Sequence, residues 1–289
     1  RSTPLPWAKE ALDSPHVPAP VREAVRKAAA AGRDVRFLAF LSETLPSPAG
    51  FRRVIHYRKP AGAVAGYDKY EYLIPENVLP ALCEFIALGA GRPDEFASWR
   101  TGDAETRDLF ICTHGSRDVC CGSRGYPIYE LAEREYAAPS GGKLRAWRVS
   151  HLGGHRFAPT LVEFPEARYW AYVEPGDLEK IVRRTGPFSE VAGKYRGWGG
   201  AGKIAQVLER EALLEEGWGW TAERKTCSEV RREDGSFRVV FAVASEDGAV
   251  RRTVEGVVEP AGSVMTGGCT AEPKAVPQYR ARLAPSGGD

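Results

Sequence analysis

Apolar and polar positions change period repeatedly along this chain, and each change marks an element. Residues 20–32, PVREAVRKAAAAG, space their apolar positions helically, with Pro at the start and Gly at the end. Three runs rich in aromatic and β-branched residues follow, at 34–43, 51–59 and 69–75, and predict strands. Residues 76–89 return to a helical pattern. DLFICTH (108–114) is an unbroken apolar run of the kind that forms a strand buried on both faces. A helix is expected over 126–137 and a strand over 143–151. Runs at 160–165 and 169–175 can pair as a hairpin, and GDLEKIVRR (176–184) predicts a helix. A Gly-rich hinge is expected at 196–203 and an amphipathic helix at 203–217. Residues 222–260 read as a meander with Asp-Gly at both turns, and the remaining tail reads as irregular.

These elements predict an α/β protein. The order β-α-β-loop-β-β-α over 105–190 is that of a thioredoxin-like core whose middle helix has shrunk to a loop. Pro159 then falls where such folds often carry a cis peptide. Residues 1–100 run through the same order without the first strand, which suggests a related N-terminal half. Residues 200–289 form a C-terminal α+β segment.

Composition narrows the function. The chain has 289 residues, 43% hydrophobic and 27% charged, with a formal net charge of +2. That balance is globular and too mild to argue for nucleic acid or a membrane surface. No apolar run approaches the ~18 residues of a membrane span. RSTPLPWAKE lacks the apolar core of a signal peptide, so a cytoplasmic protein is expected. Six cysteines in this length do not make a disulfide scaffold.

Chemistry concentrates in two short segments. FICTHGSRDVCCGSRGYP (110–127) and SHLGGHRFAPT (150–160) hold three of the six cysteines and three of the five histidines. Cys112 and Cys121 have eight residues between them, and His151 and His155 frame H-L-G-G-H. If the two strands are neighbours, the loops leave one edge of the sheet and the four side chains converge. Gly153 and Gly154 then let both imidazoles face one point. Two Cys and two His suit tetrahedral zinc. They equally make the ligand set of a [2Fe–2S] cluster with two thiolates on one iron and two imidazoles on the other. The eight-residue loop is wider than the close Cys pairs of zinc fingers and favours the larger object. A thiol oxidoreductase working through Cys120 and Cys121 is a third reading, but it has no C-x-x-C and leaves H-L-G-G-H unexplained.

CTHGSRDVCCGSRGYP together with VSHLGGHRFAPTLVEFP resembles the sucrase/ferredoxin-like family, the bis-histidinyl branch of the thioredoxin-like ferredoxins. PWAKEALDSPHVP and GGCTAEPKAVPQY are similar to the same proteins, so the likeness covers nearly the whole chain. The family pattern, C-x₈-C followed by H-x-G-G-H, is met at each position. The resemblance implies Cys112, Cys121, His151 and His155 as [2Fe–2S] ligands, with the histidines sharing one iron. It implies an electron carrier rather than an enzyme, proton-coupled through a histidine, with a redox partner protein that the sequence does not identify. No motif places a carboxylate pair for glycoside chemistry.

The neighbouring residues have plainer readings. Cys120, next to Cys121, is the alternative ligand, but on an extended segment it is expected to point away and pack as a small buried side chain under the site. His114 is expected either at the cluster edge or bonded to backbone. Arg117, Arg124 and Arg156 are solvated, paired with Asp118, or an attraction for an acidic donor. Cys83 is a core position, and Cys227 and Cys269 are free thiols by default.

Overall fold

The structure is a computed structural model that describes residues 5–267 and 272–285, and of His155 the backbone alone. Cys269 lies outside the described residues. The chain forms two compact units: residues up to 58 with 69–159, and residues 59–68 with the chain from 160 onward. Both mix helix and sheet, as expected of an α/β protein.

The first unit runs α1 (Ala19–Ala30), β1 (Phe40–Leu41), β2 (Phe51–Arg58), β3 (Asp68–Pro75), α2 (Leu79–Leu88), β4 (Arg100–Thr101), β5 (Arg107–Cys112), α3 (Val119–Ala132) and β6 (Leu144–Val149). β2, β3 and β4 make one sheet. Beside β3, Tyr72, Ile74, Leu82 and Phe96 are buried with Val17 and Val21. β5 and β6 pair in parallel, Leu109 opposite Ala146 and Cys112 opposite Val149, and β1 pairs antiparallel with β6. A helix between two parallel strands is the crossover that this pairing requires. β5 is buried from Asp108 to Cys112, which explains its unbroken apolar run. The Ala158–Pro159 peptide is cis, as its position suggests.

Two elements of this unit differ from expectation. Of the strand expected at 34–43, only Phe40 and Leu41 join a ladder, while Val35 and Phe37 pack against buried clusters. The helix expected at 126–137 begins at Val119, seven residues earlier. Asp118 caps it, its carboxylate accepting from the Cys120 N–H at 2.9 Å.

The second unit runs β7 (Thr160–Phe164), β8 (Arg168–Ala171), α4 (Pro175–Arg183), β9 (Tyr195–Trp198), α5 (Ala205–Glu216), β10 (Arg224–Arg231), β11 (Phe237–Ala244), β12 (Val250–Thr266) and β13 (Lys274–Leu283). β7, β8 and β9 pair antiparallel in order, and β10 to β13 form a meander. Part of the expected glycine hinge is therefore strand β9. Part of the expected irregular tail is the edge strand β13, where Pro277 is tolerated.

This unit buries charge among tryptophans. Arg168 is wholly buried and donates to Tyr195 Oη at 2.7 Å and to Glu209 at 2.8 Å. Lys225, also wholly buried, lies over the rings of Trp198 and Trp220. It donates to the carbonyls of Trp220 and Glu223. Burial, and then Arg168 nearby, bring its pKa down to about 7. The unfolded chain holds that proton to about pH 10.4. Between those values the unfolded state binds more protons, so stability rises with pH, by up to about 1.4 kcal/mol per pH unit from this group. Urea denaturation at pH 7 and pH 9 should show this gain in the wild type and its absence in Lys225→Met.

Candidate metal centre

The site is built where β5 and β6 end. Because the strands are parallel and in register at Cys112 and Val149, their following loops leave the same edge. β5 delivers Cys112 at its last residue, and the loop after β6 delivers His151 two residues past Val149. Cys121 comes from the first turn of α3.

That helix approaches β5 closely because of its glycines. A Cβ on Gly125 would lie 1.9 Å from the carbonyl oxygen of Cys112, and one on Gly122 would lie 2.8 Å from the Cα of Gly115. Both contacts are with backbone, which has little room to yield.

Cys112, Cys121 and His151 converge, with their ligand atoms all within 4.8 Å of one another. Both cysteines are fully buried and His151 is half-buried. Nδ1 of His151 stands 3.8 Å from Cys121 Sγ. The Cys112 thiol is brought down to about 4, first by the hydrogen bond from Cys121 and against desolvation. His151 and the backbone N–H groups of His114 and Leu152 add to the lowering. Cys121 is pushed up, first by its hydrogen bond to Cys112 and then by burial. The shared hydrogen bond thus favours the thiolate at Cys112 and the thiol at Cys121. Two sulfurs and an imidazole in a buried pocket form a donor set that fits zinc or an iron–sulfur cluster.

His155 opens the turn His155–Phe157, and its side chain lies outside the described residues. Cys120 is half-buried in the helix rather than on an extended segment, and its sulfur is not in the converging group. Arg117 pairs with Glu10 rather than with Asp118, Arg156 lies over the Phe157 ring at 4.4 Å, and Arg124 is exposed.

The support around the ligands is less visible in the sequence. His114 is buried and bonded to backbone: Nε2 donates to the Ala8 carbonyl at 2.8 Å, and Nδ1 accepts from the His151 N–H at 3.1 Å. Its pKa is lowered by burial. Arg36 donates to the carbonyls of His151 and Leu152 and pins the loop after β6. Ser116 Oγ donates to the Trp7 carbonyl at 2.6 Å. The signals for these roles are the repetition of His beside Cys in C-T-H-G and the glycine spacing in C-C-G-S-R-G.

The fold is that of an α/β protein, and its site is a Cys/His group whose donor atoms could hold a metal ion. The chain belongs to the sucrase/ferredoxin-like family, which it matches over residues 3–197. It is also similar to altered inheritance of mitochondria protein 32 of Meyerozyma guilliermondii, with 33% identity over 99 residues. That stretch is 31% of this chain and 34% of the relative, so the chain spans about a third of the curated relative it matches. No solved structure matches the chain. Among the described residues, no helix is long and apolar enough to cross a membrane.

Gly125→Ala should lower stability by about 3 kcal/mol, the upper end for overpacking, because a backbone carbonyl blocks the new methyl. Gly176→Ala, where nothing lies within 4 Å, is the neutral control. Thermal denaturation checks the difference, and metal uptake should fall for the first variant alone.

Proposed function

We propose that this chain is an electron carrier holding a [2Fe–2S] cluster on Cys112, Cys121, His151 and His155. The observation that supports this best is the buried convergence of Cys112, Cys121 and His151 at the end of a parallel strand pair, in a member of this family. When bound, the cluster would take up and release single electrons. The two cysteines supply thiolate sulfur from separate elements, and their full burial keeps water from the sulfurs. The N–H groups of His114 and Leu152 stabilise negative charge on Cys112. His151 turns Nδ1 toward the thiols, so Nε2 of this ring, or the ring of His155, would be the group that couples proton uptake to reduction of the cluster. No substrate is transformed at this site: the protein passes electrons between partner proteins. We read the β5–α3–β6 unit as the start of a thioredoxin-like core.

One observation favours a second reading, a structural zinc ion. Two thiolates on one tetrahedral zinc at about 2.3 Å stand about 3.8 Å apart. The described donors are compact on that scale, all within 4.8 Å.

Anaerobic reconstitution with iron and sulfide separates the readings. The cluster reading expects two irons and two sulfides per chain, and a potential that falls by about 59 mV per pH unit where Nε2 titrates. His151→Cys should lower the potential and remove that slope. One zinc per chain and no retained iron would contradict it.

A further inference from the structure

We propose that His114 is a positioning residue for His151: its imidazole, locked between the Ala8 carbonyl and the His151 backbone N–H, sets where the His151 ring meets the two thiols. This rests on reading Cys112, Cys121 and His151 as ligands, but not on which metal they hold.

The hydrogen bonds around the ring run one way. A carbonyl can only accept, so Nε2 carries the hydrogen given to Ala8. A backbone N–H can only donate, so Nδ1 presents the lone pair that receives His151 N–H. Only the neutral Nε2–H tautomer satisfies both. The ring is 1% exposed and meets Trp7 edge-to-face, with centroids 5.5 Å apart. It therefore has one place to be and one hydrogen arrangement.

The backbone of the same residue reaches the other two donors. Its N–H is one of those that stabilise the Cys112 thiolate. Its carbonyl accepts from the N–H groups of Arg117 and Asp118, at 3.1 and 3.2 Å. That closes the turn leading to Asp118, the cap of the helix that carries Cys121. The side chain alone adds the link to His151, on a loop 37 residues away in sequence. A residue needed only for volume would not have both ring nitrogens committed.

The two nitrogens can be separated. In His114→Asn the side-chain oxygen sits near the place of Nδ1 and keeps the acceptor for His151. In His114→Gln the amide N–H₂ sits near the place of Nε2 and keeps the bond to Ala8 while losing that acceptor. Hydrogen exchange of the His151 amide, followed by NMR in metal-free protein, is the readout. The expectation is exchange within about threefold of wild type for Asn and at least tenfold faster for Gln, since a net hydrogen bond is worth roughly that factor. With cobalt(II) as the probe metal, the absorption bands of the Gln variant should shift and those of Asn should not. Equal exchange in the two variants would overturn the proposal. Should either variant fail to fold, the imidazole ¹⁵N shifts of the wild type decide: the Nε2–H tautomer with a bonded Nδ1 supports it, and the Nδ1–H tautomer or an imidazolium at neutral pH overturns it. A preparation that takes up no iron would defeat the cluster reading and leave these results standing.

Discussion

Everything at the site depends on β5 and β6 lying parallel and in register. Parallel strands end at the same edge, so the last residue of β5 and the loop after β6 must come out side by side. Cys112 and His151 are neighbours for that reason, though 38 residues separate them in the chain. The third donor needs a different constraint. Cys121 reaches them because α3 starts early, on the Asp118 cap, and because Gly125 lets the helix come against the Cys112 carbonyl. The pairing of strands places two of the converging side chains, and the absence of a side chain at Gly125 places the third.

Much of this was legible in the sequence. The apolar run 108–114 and the strand 143–151 were readable as buried neighbours, and from that the meeting of Cys112, Cys121 and His151 followed. The limits were also physical. The start of α3 lies ahead of the helical period because C-C-G-S-R-G carries two glycines and no apolar repeat. Its helicity comes from a cap and from packing, which outweigh weak propensity. β13 read as irregular because Pro277 and the glycines before it argue against a strand, yet an edge position needs no donor from proline. His114 stayed ambiguous because both of its partners are backbone groups, which any sequence offers.

The two units use charge differently from the site. In the first, Asp108 is wholly buried and is met by Lys69 and Arg145, which hold its carboxyl down against the effect of burial. In the second, Arg168 and Glu209 form a pair with no exposure. Such pairs add little net stability, but breaking one is costly, so they tie specific elements together, β3 and β6 to β5 in one unit and α5 to β8 in the other. At the candidate site the Cys112 thiol is brought down and the Cys121 thiol pushed up, each first by the hydrogen bond between them, with the backbone N–H groups of His114 and Leu152 beside Cys112.

The most direct test of the central claim is the EPR spectrum of the anaerobically reduced protein. A histidine-ligated [2Fe–2S] cluster predicts a rhombic spin-half signal with the low average g-value of the Rieske type. A higher average g-value would mean sulfur in place of imidazole. A silent spectrum from a colourless sample that retains zinc after anaerobic purification would contradict the account.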